Sequence, residues 1–418
     1  MTAPVTRLAG GLPGSYWKLW FASALSNLSD GIFWVALPLL AITLTDSPAL
    51  VAGVTIASRL PWLLFALVAG ALADRLDRRR TMILVNLFRA GLLGFLAVAT
   101  AGGFASIPLI YGVAFVLGVA ETLFDTSAMS ILPNIVGRDL LSRANGRLYA
   151  IELTMNQFIG PPLGGFLAAY GIALAFGAES AAYLVAAVAL LAIPGSFRPV
   201  REGPPTRIRD DIVEGLRYLA SSRVLFALSL MVGVTNFSTS AIFSIFVLYA
   251  VAPGPLVLSE VGYGLLWAAS AVGSVIGSVM VERLELALGR ANVLAVSVVT
   301  TATMLAVPAF TTEPIVVGVS FAVSGVAMVV WNVVAVSLRQ RITPDRLLGR
   351  VNASHRLLAW GTMPLGAAFG GILGELVGLR ETFVIAALVV ALLVVGRLVV
   401  TDPAIAAAEH AALSEEAA

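Results

Sequence analysis

The chain has 418 residues, 59% apolar and 12% charged, with a net charge of +2 and a mean hydropathy of +0.95. Soluble chains run at about 45–50% apolar and about 25% charged, so this composition excludes a soluble globular domain and makes lipid the solvent. With no cysteine and only two histidines, His355 and His410, there is nothing from which to build a disulfide, a thiolate site or a His-rich metal centre, and no cofactor or metal is expected.

Crossing hydrocarbon takes roughly 20 mostly apolar residues. Twelve such runs lie near 19–44, 50–73, 81–101, 106–132, 147–169, 173–194, 223–250, 259–281, 291–310, 315–338, 356–377 and 382–400. Turn residues break them, as at Asp46-Ser47-Pro48, Gly102-Gly103, Pro253-Gly254-Pro255 and Glu313-Pro314. The expectation is an all-α integral membrane protein with twelve transmembrane helices. Basic residues collect at the N-terminus (Arg7, Lys18) and in every second loop: Arg75 to Arg80, Arg138 to Arg147, Arg198 to Arg223, Arg283 and Arg290, Arg339 to Arg356, and Arg397. The opposite loops hold Arg380 alone. This asymmetry places both termini in the cytoplasm and is a topology signal, so no nucleic-acid partner is expected.

The longest polar stretch divides the chain into an N-terminal six-helix bundle (1–194), a cytoplasmic linker (195–222), and a C-terminal six-helix bundle with a short cytoplasmic tail (223–418). Within the linker Ile208, Ile212, Val213, Leu216 and Leu219 oppose Arg209, Asp210, Asp211, Glu214 and Arg217. That pattern fits an amphipathic helix on the inner leaflet; a plain linker is the other reading. The halves repeat at an offset of about 207 residues. Asp74-Arg75-Leu76-Asp77 answers Glu282-Arg283-Leu284-Glu285, and Arg138 to Asn145 answers Asp345 to Asn352. Gly164-Gly165 answers Gly370-Gly371. Six spans per half insert both halves in the same orientation, related by an axis along the membrane normal with a cavity between them, which suits alternating access.

Twelve spans, the six-plus-six split and Gly70-Ala-Leu-Ala-Asp74-Arg75-Leu-Asp77-Arg78-Arg79-Arg80 resemble the major facilitator superfamily, and the loop after span two is similar to its motif A. The loops after spans four and ten resemble the branch that holds enterobactin exporters and macrolide efflux pumps. The resemblance covers roughly residues 15–400. It implies two pseudo-symmetric six-helix bundles in the cell membrane, a monomer working on an amphipathic small molecule (a drug, or a siderophore- or macrolide-like compound) and on protons. It further implies a motif A gate of Gly70, Asp74, Arg75, Arg78, Arg79, Arg80 and Asp125, with Asp74 as latch and Arg78 as its partner. Asp77 stands where the family usually has glycine. Read on charge alone, Arg75 to Arg80 would only set topology. Asn156-Gln-Phe-Ile-Gly160-Pro161-Pro162-Leu-Gly164-Gly165 resembles the antiporter motif C, with Asn156 where the family has glycine. Its small residues allow close helix approach and its prolines bend the span.

Other polar residues inside the spans mark candidate chemistry. A charge at mid-span costs about 2.5–3.5 kcal/mol on insertion scales, and Asp30 lies mid-way through span one. Ser23, Asn27, Asp30 and Trp34 form one stripe, in which Asp30 suits reversible proton binding and Trp34 could stack on a drug-like cation. A satisfied interhelical hydrogen bond is the alternative role for Asp30. Span seven repeats the stripe in neutral form as Asn236, Thr239, Ser240 and Phe243. Glu121 and Asp125 are one turn apart, and two acids that close do not both ionise easily without a cation. Glu121 is read as a second protonation site and Asp125, whose repeat partner is Asn332, as part of the gate within reach of Arg78. Arg59 needs a partner, either a carboxylate in a structural ion pair or an anionic substrate group. Arg89 is expected to snorkel, Glu179 to be solvated near the outer face, and His355 to sit at the interface. These residues predict a proton-coupled antiporter exporting amphipathic compounds, with a metabolite importer of the same fold as the alternative. An intramembrane enzyme is not expected, since neither histidine lies mid-span and no nucleophile elbow is present.

Overall fold

The structure, a computed structural model, describes residues 11–73, 76–137, 140–195, 197 and 208–417. In chain order the helices are α1 (Gly14–Leu44), α2 (Pro48–Ala73), α3 (Arg78–Ala101), α4 (Ile107–Ile135), α5 (Leu141–Leu153), α6 (Gly160–Tyr170), α7 (Ile172–Leu191), α8 (Ile208–Ser221), α9 (Arg223–Phe243), α10 (Phe246–Ala250), α11 (Glu260–Leu288), α12 (Arg290–Phe310), α13 (Pro314–Ile342), α14 (Asp345–Leu376), α15 (Leu379–Leu392) and α16 (Asp402–Ala417). Among the described residues eleven segments are long and apolar enough to cross a membrane. The twelfth expected span is the run α5–α6, interrupted by a π-helical stretch at Thr154–Ile159. Pro161 and Pro162 have no N–H to give the carbonyls four residues back, at Gln157 and Phe158, and the helix widens there. Span seven is likewise broken, with α9 ending before the short α10.

Helix starts follow local chemistry. Proline opens α2 and α13, where its missing N–H costs nothing. Asp77 caps α3, its Oδ1 accepting from the Arg80 N–H at 3.0 Å. Asp77 Oδ2 also accepts from the Phe197 N–H at 2.9 Å, so the residue departing from the family pattern ties the end of the first half to this turn.

The packing repeats. In the first half α2 lies on α4, α3 on α7 and α1 on α6; in the second, α11 lies on α13, α12 on α15 and α9 on α14. The halves meet along two equivalent seams, α2 with α14 and α6 with α11. Each expected glycine pair divides its work between these two kinds of contact. A β-carbon on Gly164 would lie 2.9 Å from the Ile32 carbonyl of α1, and one on Gly370 would strike the Ala241 carbonyl of α9, both inside a half. Gly165 faces the Glu260 carbonyl of α11, and a β-carbon on Gly371 would lie 2.7 Å from Ala52 Cβ of α2, both across the seam. These crossings sit at the end of the bundle carrying the α1–α2, α6–α7 and α14–α15 turns. There Glu375 of α14 accepts from the Ser47 hydroxyl at 2.8 Å and the Ala49 N–H at 3.4 Å, at the N-terminus of α2. The loop-bearing end is closed.

The two polar segments outside the spans both fold onto the bundle. α8 docks part of its apolar face on α14, where Leu219 packs with Leu347 and Val351 in a small core, while Val213 is exposed. Gly215 sits against the Arg350 carbonyl, Glu214 pairs with Arg350, and the Tyr218 hydroxyl donates to the Ile342 carbonyl at 3.0 Å. A half-apolar helix beside an apolar protein surface buries itself there. The tail is ordered as α16, with Asp402 Oδ1 accepting from the Ala291 N–H at 3.1 Å and Glu409 pairing with Arg290 at 2.8 Å and Arg341 at 3.7 Å.

Candidate functional site

Three helices bring their charged residues together inside the first half. Arg89 of α3 lies 3.6 Å from Asp30 Oδ1 of α1 and 3.9 Å from Glu121 Oε2 of α4. Its side chain is 2% exposed, against 20% for Asp30 and 34% for Glu121. Arg89 therefore does not snorkel: two carboxylates and two ring faces, Tyr183 at 4.9 Å and Phe124 at 5.7 Å, hold it in the bundle interior. The Tyr183 hydroxyl of α7 donates to Asp30 Oδ1 at 2.5 Å. One helical turn before Tyr183, Glu179 is fully buried, and neither of its carboxylate oxygens has a hydrogen-bond partner in the structure, so the solvated outer-face position expected for it is wrong.

One cation held by two carboxylates is an arrangement that a single proton can rearrange. When one carboxylate takes a proton it stops acting as an anion toward the guanidinium, and the helices carrying the three groups lose a constraint. Asp30 is contacted from two sides, by Arg89 and the Tyr183 hydroxyl, whereas Glu121 keeps 34% of its side chain exposed.

The Trp34 face expected to take a drug-like cation is engaged from within the chain, because the Arg59 guanidinium stacks on it at 4.2 Å. Arg59 thus lies on an aromatic face while Glu121 attracts its charge from farther than direct ion-pair contact. The neutral stripe on α9 is also partly spent. Asn236 Nδ2 donates to the Ala359 carbonyl and Ser240 Oγ to the Met363 carbonyl, each at 2.8 Å, so both fasten α9 to α14; Ser240 is buried away from any cleft. Phe243 packs on Trp267 at 4.9 Å and Phe321 at 6.0 Å in an aromatic core. Asn27 Nδ2 donates to the Ser23 carbonyl of its own helix at 2.9 Å, and Asn332 is exposed. His355 bonds with Ser229 Oγ at 3.0 Å, joining α9 and α14.

Of the motif A gate, Asp74 and Arg75 lie outside the described residues, as does the surroundings of Gly70. Arg78 Nη1 donates to Asn134 Oδ1 at 2.8 Å, while Arg79 Nη1 donates to the carbonyls of Ile193 at 2.5 Å and Gly195 at 2.9 Å. Arg80 is exposed. Asp125, half-buried, is not the partner that Arg78 takes; Asn134, two turns nearer the helix end, is. In the motif C segment a β-carbon on Gly31 would lie 2.5 Å from the Asn156 carbonyl and 2.9 Å from Gly160 Cα. The Pro161 carbonyl would lie 2.5 Å from a β-carbon on Gly264 of α11. Gly160, Pro161, Pro162, Gly164 and Gly165 thus form the crossing of α6 with both α1 and α11.

The residues that sequence reasoning missed are partners. Tyr183, Trp62, Trp360 and Glu375 were unremarkable alone; the signal for Tyr183 was its place one turn after the intramembrane Glu179, on one helix face.

The comparisons agree with this architecture. The family described as transmembrane secretion effectors matches residues 13–417. The chain is 29% identical over 394 residues to the multidrug efflux pump Tap of Mycobacterium tuberculosis, covering 90% of each chain. It is 26% identical over 362 residues to the enterobactin exporter EntS of Salmonella typhi, covering 86% of this chain and 85% of that one. Among solved structures, a bacterial homologue of the iron transporter ferroportin in an inward-facing state aligns with a TM-score of 0.72 at 18% identity, covering 93% of this chain and 99% of that one. The nucleoside transporter NupG aligns at 0.67 and 13% identity, covering 92% and 98%. The structural likenesses show the fold, and the relatives are membrane transporters that include efflux pumps. The chain belongs to the transmembrane secretion effectors, multi-pass transporters of the major facilitator superfamily.

Proposed function

We propose that this transporter is a proton-coupled antiporter, working as a monomer, that exports amphipathic small molecules by alternating access between its two six-helix bundles. The observation that carries the reading is Arg89, buried between Asp30 and Glu121 on three helices of one half. Glu121 is the exchanging group, Asp30 the counter-ion that keeps Arg89 in place, and Tyr183 the hydroxyl that orients Asp30. The basic loops place the termini in the cytoplasm, so the closed loop-bearing end faces outward and the cleft opens inward, the state that loads a compound for export. When the opposite end closes, Asp74 acts as latch in a loop that Arg78 and Arg79 anchor to α4 and α7.

The test uses proteoliposomes with an imposed pH gradient and a panel of amphipathic compounds. Glu121→Gln is expected to abolish gradient-driven transport and to leave exchange of compound for compound running. Asp30→Asn is expected to weaken both, because it frees Arg89. Undiminished gradient-driven transport by both variants would overturn proton coupling here, and uptake of one polar metabolite with no amphiphile expelled would overturn export.

A further inference from the structure

A ladder of arginines and tryptophans runs from α1 over α2 to α14, beside the buried charge cluster. It starts with Arg59 of α2 on the Trp34 ring of α1. Trp62, one turn along α2 and on the same side, meets Trp360 of α14 edge-on, with centroids 5.2 Å apart and planes at 88°. Arg356, one turn before Trp360, sets its guanidinium 4.4 Å from the Trp360 ring and 5.9 Å from the Trp62 ring. Trp34 and Trp360 keep 41% and 43% of their surface open. Among the described residues neither Arg59 nor Arg356 has a hydrogen bond or an ion pair.

Cations within a membrane protein face a counter-ion or a wet cleft. Arg89 has its counter-ions, Arg59 shares the attraction of Glu121 with it, and among the described residues Arg356 has no carboxylate within ion-pair distance. A guanidinium lying on an indole is held flat, and its N–H edge remains available to two oxygens of an oxyanion, carboxylate or sulfonate, in bidentate fashion. The exposed indole faces beside it take an aromatic ring. A cationic ligand would meet two arginines, and on Trp34 it would find a guanidinium already stacked.

We propose that this ladder is the ligand site and that it selects an organic anion with a planar aromatic body, the acidic group on the N–H edges of Arg59 and Arg356 and the ring on Trp34 and Trp360. Because α2 and α14 belong to different halves, the ligand bridges the seam that moves. The direction of transport rests on the exporter reading; binding does not.

The probes are naphthalene-2-sulfonate and trimethyl-(2-naphthylmethyl)ammonium, which share a ring and carry permanent opposite charges. Equilibrium dialysis against the purified full-length protein is expected to show the sulfonate binding more tightly by about tenfold or more, the scale of one charge-assisted hydrogen bond. Arg59→Gln and Arg356→Gln should each remove most of that preference, with thermal unfolding followed in parallel. Equal or tighter binding of the ammonium by the unmodified protein, or no binding of the sulfonate, overturns the proposal without recourse to any variant. In proteoliposomes, a sulfonate that binds but is not moved by a gradient overturns the exporter reading and leaves the ladder standing; an ammonium that is moved while the sulfonate is ignored does the reverse.

Discussion

Arg89 sits where its removal would be felt by two other charges. Breaking a buried pair by deleting one partner costs about 3–5 kcal/mol, because the surviving charge is left uncompensated. Arg89→Leu is expected to lose stability on that scale in denaturant unfolding from mixed micelles, and adding Asp30→Asn should return part of the loss. Tyr183→Phe removes one hydrogen bond to a charged group, about 1.5–3 kcal/mol, and should leave Arg89 in place. The acids of this cluster were legible in the sequence, since Asp30 and Glu121 are charges inside apolar runs. Their cation was visible too, but its role was not: snorkelling and burial are decided by helix rotation, which one span's sequence does not specify when both faces are apolar. The same ambiguity hid Glu179, whose distance from a span end suggested solvent while its helix face turned inward.

Among the helices, spacing is governed by residues with no side chain. Where a β-carbon on Gly371 would press on Ala52 and Ala49, valine has no room, and overpacking costs about 1–3 kcal/mol. Gly371→Val should therefore drive α14 from α2 and populate a state open at the loop-bearing end. The chain has no cysteine, so spin labels on introduced pairs at those helix ends can read the longer distance. Gly91→Val on α3, with nothing within 4 Å of the added carbon, should leave that distance unchanged. The twelve spans were readable because length and hydropathy are summed over many residues. The π-helical break in span five and the docking of α8 were not, since the first depends on how consecutive prolines share a deficit of donors and the second on a neighbouring surface that only the fold creates.

For the molecule as a whole, the closed end is held by a polar device besides the glycine crossings. Glu375 brings a negative charge from one half to the helix N-terminus of the other, where an anion is worth about 0.3–1 kcal/mol. Glu375→Gln should raise labelling of a Thr55→Cys reporter by an impermeant maleimide several-fold, the response of a two-state equilibrium to about 1 kcal/mol; an unchanged rate would mean the glycine seams close this end alone. Two-fold likeness between the halves was legible from the repeated loops, but the division of labour within each glycine pair was not, because it follows from which neighbour the rotation presents.

That division bears on energy conservation. A transporter that works against a membrane potential stands across about 2.3 kcal/mol per elementary charge per 100 mV, and any thread of water through it would dissipate that difference. The seams at Gly165 and Gly371 present only a glycine hydrogen of one half to the other, which lies against it as backbone or an alanine methyl. They give the shut gate the character of an electrical insulator, and they set a limit on how much side-chain variety evolution can place there before the cell's battery begins to drain.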